Sequence, residues 1–167
     1  MAEIAVLRKP TTFNGPLEAG LRVVALLGAA YPRSYDLQRL VGLDYLLVHT
    51  GDVGGPASLH PPAPLQSAEM LVRRTLLERA LLLMMTRELV DREVGSDGIK
   101  YVAGENAGTF LSSLESDYLK GLKERASWLI GAFGGSNEAE FRATMRKLFD
   151  HWVEEFQAIE NSWGAEL

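Results

Sequence analysis

The chain has 167 residues, no cysteine and a formal net charge of −5. Its length and 47% hydrophobic content suit one globular domain with a sizeable core, and the missing thiols exclude disulfides and thiolate metal sites. The acidic balance gives the chain as a whole no pull on nucleic acid, so any DNA contact must come from a local patch. The longest unbroken apolar run, Ala80 to Met85, is too short to span a bilayer. The start, MAEIAVLRKP, lacks the basic-then-apolar layout of an export signal, so a cytoplasmic location is expected.

Residues 1–15 read as an N-terminal arm or a short edge strand, with Ile4 and Val6 alternating before Lys9-Pro10 breaks the pattern. Pro16 opens a first helix, because proline is favoured at the first helical position and Glu18 suits the first turn. Leu17, Leu21, Val24 and Leu27 or Gly28 mark one face, and Tyr31-Pro32 ends it. Gly20 and Gly28 on this helix point to close helix packing. A second helix is predicted over Ser34 to His49, capped by Ser34, with Leu37, Leu40, Val41, Leu43 or Asp44, and Leu47 or Val48 inward.

Gly51 to Gln66 holds three glycines and four prolines and reads as a long loop of the kind that carries function or contacts partners. His49, Asp52 and His60 invite a metal reading. Their spacing matches no defined zinc motif, so turn capping and hydrogen bonding are the plainer reading, and no metal or cofactor is expected.

Ser67 caps a third helix, in which Ala80 to Met85 are apolar all round and are expected to be buried on most sides or covered by a partner. Arg73, Arg74 and Arg79 cluster near its start. They could face a DNA groove or form salt bridges with Glu69 and Glu78, and the latter is the plainer reading. The period then switches to two strands, Val90 to Val94 and Ile99 to Ala103, around Asp97-Gly98. Val90, Arg92 and Val94 share one face, and Ile99, Tyr101 and Ala103 another. Arg92 and Lys100 in this hairpin are balanced by Asp91, Glu93 and Asp97.

Asn106 to Phe133 is helical in two pieces, with Ser116 as a fresh cap, and Gly134-Gly135 ends it. Asn137 with Glu140 nearly matches a capping box, and Phe141, Met145, Leu148 or Phe149, Trp152, Phe156, Ile159 and Trp163 form an apolar stripe behind it. The stripe fits internal core and partner docking equally well.

The expected fold is therefore mainly α with a small β-hairpin: a winged-helix-like core over 16–133 plus additional C-terminal helices, residues 134–167 forming an amphipathic one. The long loop ahead of the third helix departs from the tight turn of an ordinary winged helix. Catalysis is not expected, since GxSxG, phosphate-loop and HExxH motifs are all missing. Candidate partner-binding residues are Leu59, His60, Pro62, Phe141, Met145, Trp152, Phe156 and Trp163. Candidate DNA-contacting residues are Arg73, Arg74, Arg79, Arg92 and Lys100, which would serve a stand-alone winged-helix DNA-binding regulator as the alternative function.

Several segments carry a resemblance: PLEAGLR at the first helix start, DLQRLV with DYLLVH in the second, the loop GGPASLHP, the helix LVRRTLLERALLLM and the hairpin end GIKYVAGENA. Across about Pro16 to Phe133 the chain resembles the middle components, type 2 branch, of ABC-three-component systems. The resemblance implies a non-catalytic adaptor subunit between an SMC- or Rad50-like ATPase and an effector, often a nuclease. Several such systems, the Lamassu systems included, defend bacteria against phages and plasmids. It implies the ATPase and effector subunits as partners, with DNA met through the complex and no membrane.

Overall fold

A computed structural model describes residues 15–61 and 67–150, with only the backbone described at 67–69. The elements are α1 (Pro16–Ala30), α2 (Leu37–Val48), a 3-10 turn at Thr50–Val53, α3 (Ser67–Thr86), β1 (Val90–Gly95), β2 (Gly98–Ala103), α4 (Ala107–Ser112) and α5 (Asp117–Leu129). A π-helical turn at Ile130–Gly134 follows, and then α6 over residues 138–150. The fold is mostly helical with one antiparallel hairpin, as expected, and the order of helices into hairpin is compatible with a winged helix.

Local chemistry explains the boundaries. Pro16 stands at the start of α1 with Gly15 as its cap residue. The cap of α2 is Asp36 and not Ser34: its carboxylate accepts the Arg39 amide at 2.7 Å. Ser116 caps α5 by accepting the Leu119 amide at 3.2 Å. At α6 the capping box is complete. The Glu140 amide donates to Asn137 Oδ1 at 2.8 Å, and the Asn137 amide donates to Glu140 Oε2 at 3.4 Å. Only Arg87, Glu88 and Leu89 join α3 to β1, with Glu88 at a left-handed φ of 59° and Asn106 donating to its carboxylate.

The hairpin closes through Ser96-Asp97, with Gly95 opposite Gly98 and Val90 opposite Ala103. Cross-strand partners point to the same side of a ladder. Val94 and Ile99, Arg92 and Tyr101, and Val90 and Ala103 therefore share one face, which corrects the separate faces assigned from each strand alone. Tyr35 extends the outer edge of β2 by exchanging backbone hydrogen bonds with Tyr101 at 3.0 and 2.8 Å.

The centre of the molecule is α1, packed by α2, α3, α4, α5 and β2. Val23 to Leu27 are buried without interruption, while Leu17, expected on the inner face, is 56% exposed. Residues 40–50 are likewise all buried. The stretch Ala80 to Met85, read as enclosed, is not: Leu82 is 61% exposed, and Leu83 and Met85 are half-buried. The physical reason is position, since α3 packs against α1, α2 and β1 with Leu77, Ala80, Leu81 and Met84 and turns Leu82 away from them. Gly20 allows the close approach of α3, because a Cβ there would strike the Met84 side chain.

A charge sits inside this apolar packing. Asp44 of α2 has no exposed surface, and its carboxylate accepts Arg22 Nε of α1 at 2.7 Å and Arg22 Nη2 at 3.3 Å. The Arg73 guanidinium of α3 donates to its second oxygen. Burial pushes this carboxyl up, but the two guanidiniums outweigh burial and hold it below the ordinary carboxylate range. One carboxylate thus ties three helices. Asp44→Asn, which deprives Arg22 and Arg73 of that carboxylate, is expected to cost about 3–5 kcal/mol in urea denaturation. Replacing the pair together, Arg22→Met with Asp44→Leu, should recover part of that loss.

A cationic groove as the candidate functional site

The long loop is folded back onto the molecule. Thr50 Oγ1 donates to the Pro56 carbonyl at 2.8 Å, Ser58 Oγ accepts the Gly51 amide at 3.0 Å, and Arg125 Nε donates to the Ala57 carbonyl at 2.8 Å. The His60 amide donates to the Val48 carbonyl at 3.1 Å. Leu59, a candidate partner contact, is half-buried and packs against the chain's own core. His60 is half-buried, with Nε2 3.3 Å from the Tyr118 hydroxyl. Both serve internal packing here. Pro62 lies outside the described residues.

His49 and His60 do meet, ring centroids 6.4 Å apart, but Asp52 is exposed on the 3-10 turn. Among the described residues no three potential ligands gather at one point. His49 is 3% exposed and stacks on Tyr45 at 4.5 Å. Burial, with the positive charge of Arg73 and the neighbouring His60, brings its pKa down to about 4. Burial lowers His60 too, with Arg22 and Arg73 adding to it.

The candidate site lies elsewhere, in an open groove of about 1130 Å³ between the start of α2, the start of α3 and the exposed flank of α6. Val41, Gly42, Met70, Phe141 and Met145 make its floor. Arg33, Arg39, Arg74, Lys100, Arg142 and Arg146 line it, against two carboxylates, Asp36 and Glu138. This is a local positive excess on an acidic protein.

The cations differ in what holds them. Arg39 is structural: its guanidinium donates to the Phe133 and Ser136 carbonyls at 2.8 and 2.9 Å and lies 4.1 Å over the Phe141 ring. It therefore fastens the end of α5 to the beginning of α6. Arg142 pairs with Glu138 at 2.6 Å, Lys100 with Asp97 at 2.9 Å, and Arg74 with Glu78 at 3.6 Å. Arg33 and Arg146 are exposed and make no ion pair among the described residues.

The residues named from sequence are scattered by this arrangement. Met145, Arg74 and Lys100 line the groove. Phe141 forms its floor but is 5% exposed, so it is core and not a free anchor. Arg73 is turned inward on Asp44, with its side chain 11% exposed. Arg79 lines a separate hollow of about 440 Å³ along α3, and Arg92 is exposed on the hairpin. Trp152, Phe156 and Trp163 lie outside the described residues. Arg33, Arg142 and Arg146 were not singled out in the sequence. Arg142 and Arg146 carried a usable signal, since they are four residues apart and flank the Phe141–Met145 stripe.

The sequence model of the family described as ABC-three component (ABC-3C) system Middle Component 2 matches residues 12–155. The chain belongs to this family. A middle component is one part of a multi-component system, so this chain has protein partners. No curated protein and no solved structure matches it. Among the described residues no helix of this middle component is long and apolar enough to cross a membrane.

Two outcomes follow for its site and loop. Between about pH 6.5 and pH 4 the unfolded chain protonates at His49 while the folded chain does not, so stability falls with pH across that window. His49→Phe should remove on the order of 2–3 kcal/mol of the acid-induced loss, read as the difference between variant and parent in urea melts at neutral and acid pH. A Cβ at Gly42 would meet the Phe141 ring at 2.8 Å. Gly42→Val should cost about 1–3 kcal/mol and speed amide exchange in residues 138–150, whereas unchanged exchange there would show that α6 does not rest on this contact.

Proposed function

We propose that this chain is the non-catalytic adaptor of a bacterial three-component defence system, joining an SMC- or Rad50-like ATPase to an effector such as a nuclease in the cytoplasm. Family membership across residues 12–155 carries the reading. The sequence adds support, because none of the catalytic motifs weighed above occurs in it. The groove adds a place for docking: an apolar floor with charged walls is the composition of a protein-binding surface, where a desolvated centre supplies affinity and the polar rim supplies selectivity.

Duplex binding by the isolated chain has less support. Of the five arginines and lysines first considered for it, Arg73 is committed to Asp44, Arg74 and Lys100 are paired with carboxylates, and Arg79 and Arg92 stand on different elements. DNA is met through the ATPase and effector.

Co-expression of the chain with the ATPase and effector encoded in the same system should give a complex that co-elutes in size-exclusion chromatography. Elution of the chain apart from both partners would sink the adaptor reading.

A further inference from the structure

Resting on the adaptor reading, we propose that the groove between α2, α3 and α6 seats an acidic, amphipathic segment of a partner protein. Charge complementarity is the first argument. The chain is acidic overall, yet six cations line this groove, and although Arg74, Lys100 and Arg142 are paired with carboxylates, Arg33 and Arg146 form no ion pair among the described residues. Arg39 adds a positive charge that its carbonyl partners do not neutralise. Carboxylates on an incoming segment would meet Arg33 and Arg146, the two lining cations with no ion pair among the described residues.

The floor decides the class of partner. Met70 and Met145 are half-buried, and thioethers repack readily against varied apolar side chains. Leu71 on the same wall is 66% exposed. A segment with apolar residues on one side and acids on the other satisfies floor and walls together. A single-stranded nucleic acid would need aromatic faces on which to stack. The two aromatic rings here are occupied: Phe141 lies between Gly42 and the Arg39 guanidinium, and Tyr35 is 7% exposed with its hydroxyl donating to the Gly134 carbonyl at 3.0 Å.

The test uses the co-expressed complex of all three subunits. With p-benzoylphenylalanine in place of Met145, irradiation should link the groove to a peptide of the ATPase or effector that is rich in Asp and Glu among apolar residues. Arg33→Glu with Arg146→Glu should weaken binding of that subunit by about tenfold or more at an ionic strength of about 0.1 M. Cross-linking to nucleic acid, to a second copy of this chain, to its own residues 151–167 or to a neutral or basic partner segment would overturn the proposal. So would a charge-reversed variant that binds as the parent does. In each of those cases a complex still forms, so the adaptor reading survives. Failure of any complex to form removes both.

Discussion

The Asp44 carboxylate is the constraint on which the arrangement of the first three helices depends. It is buried completely, and its two oxygens receive guanidinium groups from α1 and α3. An ion group of this kind adds little net stability over a well-packed apolar substitute, because desolvation offsets the Coulombic gain. Its effect is geometric. Holding Arg22 of α1 and Arg73 of α3 on the two oxygens of one α2 carboxylate constrains how the three helices sit against one another. Of the three arginines near the start of α3, Arg74 and Arg79 stay on the surface, while Arg73 is used inside the molecule in this way. That is a physical reason why a helix followed by a hairpin need not be a DNA reader.

Around this centre the chain closes on itself twice. The proline-rich loop turns back across α5 through Thr50, Ser58 and Arg125, and it covers the end of α2, where the His49 ring is enclosed. Arg39 performs the second closure by binding carbonyls on both sides of the Gly134-Gly135 break. The two carbonyls flank the glycine pair, so Arg39 bridges it where the chain passes from α5 to α6, beside the groove. The groove draws walls from residues 32–42, 70–74 and 134–146, with Lys100 from the hairpin.

Secondary structure was legible because its causes are local. Pro16 at the start of α1, Ser116 before α5, Asn137 with Glu140, and the paired glycines of the hairpin each act within four residues, so spacing alone revealed them. At α2 the spacing pointed to Ser34 as the cap, whereas Asp36, two residues further on, holds that position. The groove was less legible. Met145 was noticed in an apolar stripe and Arg74 and Lys100 as candidate DNA contacts, and nothing in the sequence joined the stripe to those cations.

By itself, then, the sequence determined the order of helices and strands and their ends to within a few residues, that the protein is helical with one hairpin, and the family to which it belongs. Tertiary structure alone decided which helix faces are covered. The apolar run Ala80 to Met85 keeps Leu82 in solvent, while Val23 to Leu27 of α1 are covered by their neighbours. The same cause governs the arginines. Whether Arg73 faces inward and Arg146 outward depends on where a carboxylate lies in space, and Asp44 is twenty-nine residues from the arginine it holds. Period and capping are properties of a segment, whereas burial and ion pairing belong to what packs against it.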